Sequence, residues 1–305
     1  MNFCMQNLEP NFKSPLAVVA HDAGAANLIL GWLKYNSVHD IRYSLKGPAL
    51  DIFLNHSLSF KNMSVNSALK NAAMLLSGTS SDKTDLEHKA RLYARKKNIL
   101  SIGVLDHWIN YGQRFTRNAY QILPNEIWVT DDYALTIAKR YFPNHIIYKK
   151  RNSYLDQQIE IINSKYAQKN RSKFKRVLYL LEPIGKIWGD GSIPGEFEAL
   201  DFFVKKMSIL ELCEKTEIIL KPHPNEESGK YSEWISLHSN LNIQINIKDT
   251  LSDLIASADI VVGCQTSAMV VALYAKKYTV STIPPLAPSS ALPHKEIIML
   301  RDLKE

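Results

Sequence analysis

An α/β fold of two doubly wound, Rossmann-like domains facing a shared cleft is the architecture this chain predicts, and three observations predict it. Short apolar runs alternate with amphipathic segments along the length, the pattern of βαβ units that build a parallel sheet. That alternation breaks once, between Lys149 and Arg176, where the chain is polar, basic and poor in strand signal. The length of 305 residues fits two domains of about 150 residues, each able to bury a core. The expected domains are residues 1–160 and 161–305.

In the first domain Leu16–Ala20 reads as a buried strand, His21 to Asn27 as a turn of small residues, and 28–35 as a helix. Strands are expected at Ile41–Leu45 and 73–77, the latter closed by Gly78-Thr79-Ser80-Ser81. Residues 85–97 have helical periodicity, and 99–105 reads as a strand ending in Asp106-His107-Trp108. A strand at 126–130 leads into a helix capped by Asp131-Asp132. After the break, strands are expected at 177–181, 217–220, 243–247, 260–262 and 278–283, the last closing the sheet. Helices are expected at 196–213, Leu251–Ser257 and 269–275.

With 46% hydrophobic and 22% charged residues, the composition is that of a soluble globular protein. Cys4, Cys213 and Cys264 are far apart and form no Cys-x-x-Cys pair, which argues against a disulfide framework or a cysteine zinc site. The first fourteen residues lack the apolar core of a signal peptide, and no run reaches the ~18 apolar residues of a membrane span. A cytoplasmic location is expected.

The net charge of +7 concentrates in Lys139, Arg140, Lys149, Lys150 and Arg151, and in Lys165, Lys169, Arg171, Lys173, Lys175 and Arg176. Such a basic face suits anionic sugars, a nucleotide phosphate or peripheral contact with the inner membrane; a solvated helix and linker is the plainer alternative. Nucleic acid is not an expected partner, because zinc-finger spacing and the aromatic signature of an RNA-recognition motif are both missing.

Two segments of the second domain point to a phosphorylated ligand. Lys221-Pro222-His223-Pro224-Asn225-Glu226 ends a strand in a corner whose prolines fix φ on either side of the histidine. Gly263-Cys264-Gln265-Thr266-Ser267-Ala268 ends another strand in small polar residues that open a helix. If Thr266 or Ser267 caps that helix, free N–H groups and hydroxyls converge where an anion is favoured. Both segments lie past the carboxyl ends of strands, where open α/β sheets bind ligands. The Leu181-Glu182-Pro183-Ile184-Gly185-Lys186 stretch, after the domain's first strand, either touches the same phosphate or is a surface turn, and Gly189-Asp190-Gly191 is equally open.

The first domain offers acid–base candidates. Asp22 follows His21 in a loop where Gly24 permits close backbone approach, with Asn27 at its end. Asp106 and His107 belong to a polar–aromatic cluster with Trp108, Asn110, Tyr111 and Arg114. Either carboxylate suits removal of a proton from an acceptor hydroxyl; the alternatives are a loop side chain bonding its own backbone and a helix cap. His56, His88, His145, His238 and His294 have no metal-ligand spacing, and Asp131-Asp132 is not an Asp-x-Asp site, so no metal or other cofactor is expected.

The Lys221-Pro222-His223-Pro224 corner and the Ala258-to-Gly263 strand with Thr266-Ser267 resemble the His-Pro and Ser/Thr motifs of bacterial GT-B glycosyltransferases. The similar enzymes are the polysialyltransferase-like and Kdo-transferase-like proteins of capsule and lipopolysaccharide assembly and, more distantly, the glycerol-phosphate polymerases. The resemblance implies that His223, Thr266 and Ser267 bind the cytidine monophosphate part of a CMP-sugar donor, and Lys221, Pro224, Gln265, Glu182, Gly185 and Lys186 are expected around the same donor. It implies a nonulosonic acid or Kdo-type sugar passed to a glycan acceptor. Asp22, Asp106 or His107 would serve as base or nucleophile, with His21, Asn27 and Arg114 at the acceptor. The resemblance is to motifs in the second half and to architecture alone in the first, and the adjacent acids followed by glycine of the sialyltransferases are missing. The competing readings are a UDP-sugar epimerase or hydrolase, a CDP-polyol phosphotransferase, and a nucleotide-sugar-binding subunit without turnover.

Overall fold

The computed structural model describes residues 8–56, 59–80, 84–166, 175–186, 188, 191–224 and 226–304. Cys4, Ser81, Lys169, Arg171, Lys173, Gly189, Asp190 and Asn225, singled out above, lie outside the described residues. The chain divides into two compact units, Met1–Asp156 and Gln157–Glu305, each with a six-stranded parallel sheet.

The first unit runs β1 (Leu16–Ala20), α1 (Ala23–Tyr35), β2 (Ile41–Leu45), α2 (Gly47–Asn55), α3 (Val65–Leu69), β3 (Met74–Ser77), α4 (Leu86–Lys96) and β4 (Leu100–Val104). It continues with α5 (Tyr111–Arg114), a small hairpin of β5 (Thr116–Arg117) and β6 (Tyr120–Gln121), β7 (Glu126–Val129), α6 (Asp132–Tyr141) and β8 (Ile146–Lys149). The sheet order is β2-β1-β3-β4-β7-β8, every pairing parallel. Strand order therefore reverses between β1 and β3, the place where such sheets open a crevice for ligand. All five residues of β1 are buried, which is why that strand reads as an unbroken apolar run. Trp32 of α1, fully buried, packs edge-on against Trp128 of β7 at 5.6 Å on one face of the sheet. Leu69, Leu75, Ala90 and Ala94 fill the other.

The boundary between units falls inside α7 (Ser153–Tyr166). Several of the basic residues before it have partners within the fold. Lys149 pairs with Asp132 at 2.6 Å and Arg151 with Asp156 at 2.6 Å. Lys150 is buried, donates to the Glu9 carbonyl at 3.1 Å, and places its ammonium 5.1 Å from the Trp128 ring. The solvated-linker alternative describes Arg151, but not Lys150.

The second unit runs β9 (Arg176–Leu180), α8 (Gly195–Lys205), a 3-10 turn Met207–Leu210, β10 (Glu217–Lys221), α9 (Ser232–Leu237), β11 (Asn242–Ile245) and α10 (Leu251–Ser257). Then come β12 (Ile260–Gly263), α11 (Ser267–Tyr274), β13 (Tyr278–Ser281), β14 (Ile298–Met299) and a closing 3-10 turn. Its order is β11-β10-β9-β12-β13-β14, again all parallel, with the reversal between β9 and β12. Tyr179, Leu200, Phe203, Leu220 and Val262 centre its main core.

Three expectations need correction. The turn after β1 is only His21-Asp22, because Asp22 takes the extended conformation of an N-cap (φ −84°, ψ 152°) and α1 starts at Ala23, five residues earlier than expected. The helix expected over 196–213 stops at Lys205, where Lys206 leaves helical geometry and a separate 3-10 turn follows. The strand at Tyr278–Ser281 is not the last, since β14 pairs beside it through Val280–Ile298 and Ser281–Met299.

Candidate active site

In the second unit the reversal of strand order brings together the loops after β9 and β12. Glu182 follows the first and Gln265 the second, and the Gln265 backbone N–H donates to Glu182 Oε2 at 3.2 Å. His223 follows β10, the neighbour of β9. Two further carboxylates hold the same loops by their backbones. Glu196, buried in the first turn of α8, accepts from the N–H groups of Ile184 (3.2 Å) and Gly185 (2.8 Å). Glu226 accepts from the His223 N–H at 2.9 Å. Lys230 joins these two: its ammonium lies 2.8 Å from Glu226 and bonds Glu196 as well, while the Tyr231 hydroxyl donates to Glu226.

The electrostatics follow from burial. Glu182 is driven up to about 7 by burial, with the charges of Glu226 and Glu196 adding to the shift. Burial pushes Glu196 the same way, but the hydrogen bond from Lys230 and those from the backbone prevail and hold it below the ordinary carboxylate value. His223 is lowered by burial, against the pull of Glu226, which keeps its imidazole neutral at pH 7.

The remaining residues expected around a donor take different positions. Thr266 is the N-cap of α11 and accepts from the Ala268 N–H at 3.4 Å. Ser267 and Lys186 are exposed, as is Pro224. Gly185 has φ +69°, a left-handed conformation that favours glycine, and open space where a Cβ would stand. The Gln265 side chain accepts from the Ala291 N–H at 2.9 Å, tying the segment after β13 to the same loop. The Lys221 ammonium donates to the carbonyls of Asp249 (2.9 Å) and Ile247 (3.4 Å), so it closes the loop after β11.

In the first unit the predicted acid–base residues gather at the carboxyl edge of the sheet. The Asp22 side chain does not cap α1; its Oδ1 lies 2.7 Å from His21 Nδ1. Asp106, from the loop after β4, accepts from Arg114 Nη1 at 2.9 Å. Its carboxylate also lies against the first turn of α1: a Cβ on Gly24 would fall 1.9 Å from Asp106 Oδ2. Asp106 thus stands as an anion at a helix N-terminus, where the dipole favours it. Arg114 also donates to the carbonyls of Thr79 (2.8 Å) and Ile109 (3.2 Å). His107 accepts at Nδ1 from the Trp108 N–H at 3.0 Å, and burial lowers its pKa against the attraction of Asp106. Asn27 lies half-buried on α1.

No family model matches the chain, and no curated protein does. Solved structures do. A UDP-GlcNAc 2-epimerase from Neisseria meningitidis, bound to UDP-GlcNAc, aligns with 87% of this chain and 81% of its own at TM-score 0.55 and 13% identity. A Listeria monocytogenes protein provisionally assigned as a UDP-N-acetylglucosamine 2-epimerase aligns with 87% of this chain and 78% of its own at TM-score 0.58 and 11% identity. At these identities the likeness establishes the fold alone. That fold is GT-B.

Sequence reasoning missed the buried polar residues beneath the first site. Glu87 of α4 accepts from the His21 N–H at 2.9 Å and from Ser80 Oγ at 2.5 Å, and burial raises its pKa. Arg91, also buried, donates to the carbonyls of Gly78 (3.1 Å) and Ile122 (3.2 Å) and stacks over Phe115. Burial brings that guanidinium down to about 10. One signal was available: Glu87 and Arg91 share an i,i+4 stripe beside Leu86, Ala90 and Ala94, the buried face of α4. Among the described residues no group of three or more His, Cys, Asp or Glu side chains could hold a metal ion, and no helix is long and apolar enough to cross a membrane.

Proposed function

We propose that this chain is a glycosyltransferase that moves an acidic sugar of the nonulosonic acid or Kdo type from a CMP-activated donor to a carbohydrate acceptor, without a metal. The observation that carries this reading is the bond from Gln265 N–H to Glu182 across the strand reversal, which gathers the loops bearing Gly185, His223 and the Thr266 cap at one carboxyl edge. The CMP phosphate would sit at the N-terminus of α11, met by the positive end of the helix and the hydroxyls of Thr266 and Ser267. His223, neutral, would donate one N–H to the phosphate as charge develops on the departing CMP. In the first unit Asp22, paired with His21, would accept the proton of the attacking acceptor hydroxyl.

A second reading is a UDP-sugar 2-epimerase or hydrolase, which needs no acceptor. The Neisseria structure on the same fold holds UDP-GlcNAc, and that observation favours it. Calorimetric titration of CMP, CDP, UMP and UDP separates the two. The expected result is selective CMP binding, weakened at least ~10-fold, about 1.4 kcal/mol, in His223→Ala. Preference for UDP would replace the first reading by the second. Unchanged CMP affinity and unchanged transfer in His223→Ala would remove the donor-site assignment, nucleotide binding with no turnover under any acceptor would leave a binding subunit, and no nucleotide binding would remove both nucleotide readings.

A further inference from the structure

We infer that Glu182 is the proton-carrying group of the nucleotide site: its carboxylate takes up one proton when a phosphate settles at the β9–β12 reversal, and the resulting carboxylic acid keeps that proton and donates a hydrogen bond to a phosphate oxygen. The inference rests on the nucleotide reading above and goes beyond it by assigning a charge change to one residue.

The geometry places an anion where another must come. Glu182 Oε2 already accepts from the N–H of Gln265, the residue before the cap of α11. An ionised Glu182 therefore stands against the helix end that would bind the phosphate, and each would repel the other. The surroundings cannot absorb the added charge. Glu196 of α8 and Glu226 of the β10 loop are buried, with 4% and 1% of their side chains exposed, and among the described residues they share one cation, Lys230. One cation for two carboxylates leaves a net negative charge before Glu182 is counted.

Among the described residues, Tyr179 of β9 and Cys264 after β12 feel the charge of Glu182, while Tyr231 before α9 and His223 lie beside Glu226. Burial, with nearby acidic groups adding to it, raises the first three, so they stay neutral across the working range. His223 is the other group able to change charge, and burial opposes its protonation. Glu182 needs little driving force, since it already titrates near 7. Its second oxygen can carry the proton while Oε2 keeps the Gln265 bond. The step is a single proton taken from solvent, and no other bond changes.

The test is calorimetric titration of CMP and UDP at about pH 8 in two buffers of different ionisation enthalpy, with Kd followed from about pH 7 to 8, above the phosphate's own second pKa of about 6. Uptake approaching one proton is expected, with Kd rising up to about fivefold over that unit of pH. Glu182→Gln should remove the uptake and flatten the pH dependence, and His223→Gln should keep both. Binding by wild type without proton uptake overturns the inference alone. So does uptake that survives Glu182→Gln, or that disappears in His223→Gln, which decides the matter even if Glu182→Gln fails to fold. Wild-type protein that binds none of the nucleotides overturns the nucleotide reading, and this inference with it.

Discussion

Replacing Lys230 with methionine is expected to cost about 3–5 kcal/mol of unfolding free energy at neutral pH, the usual penalty for stranding a buried charge. Its ammonium is the cation that bonds both Glu196 and Glu226, and those side chains are almost wholly out of water. Methionine fills the stem's volume but leaves two carboxylates facing each other. The sign of the pH dependence identifies the mechanism. The folded pKa of Glu196 is depressed, so its contribution is present above the ordinary carboxylate value of 4.5 and fades as pH falls through the folded value. In the variant the carboxylates relieve their repulsion by taking protons. The deficit should therefore be largest near pH 7 and shrink toward pH 4, about the ordinary carboxylate value. Urea unfolding at both pH values reads this directly. A deficit that does not change with pH would mean that the lysine acts through packing of its stem. Adding Glu226→Gln should restore part of the loss, because the two residues are in contact and their effects do not add.

That cluster also marks where sequence reasoning stops. β1, β2, β10 and β12 were legible to within a residue or two because both faces of a parallel sheet are covered, leaving unbroken apolar runs such as Leu16–Ala20. The loops after β9, β10 and β12 were legible for the same reason: where an apolar run ends at Glu182, His223 or Cys264, the carboxyl edge begins. The early start of α1 was obscured by its composition. Ala23-Gly24-Ala25-Ala26 looks like a turn, yet the missing Cβ of Gly24 is what lets Asp106 lie against the backbone there. α2 carried a start signal, Pro48 at its first turn, that went unread. β14 has only two residues and owes its existence to β13 beside it, so no local pattern announces it. Glu196, Glu226 and Glu87 look like surface glutamates in sequence. Their burial is decided by which backbone N–H groups the fold turns toward them, and local spacing does not encode that.

Asp22→Asn is expected to lower kcat by about 10²–10⁴-fold, the range for loss of a general base, with little change in stability. Sequence alone left Asp22 and Asp106 as equal candidates, and their surroundings now differ. Asp22 is 35% exposed and paired with His21, so a substrate hydroxyl can reach it while His21 orients it. Asp106 is 10% exposed, held by Arg114 and pressed against the first turn of α1. Removing its charge strands part of the Arg114 guanidinium. Asp106→Asn should accordingly cost about 1–3 kcal/mol of stability, with any loss of activity following from displaced neighbours. Gly24→Ala provides an independent check, since its methyl group must expel the Asp106 carboxylate while Asp22 remains chemically intact. It should reproduce the stability loss of Asp106→Asn. Steady-state transfer rates and urea midpoints for the three variants test the assignment together. If Asp22→Asn keeps the wild-type kcat while Asp106→Asn loses activity at unchanged stability, Asp106 is the base and the His21–Asp22 pair is a structural contact.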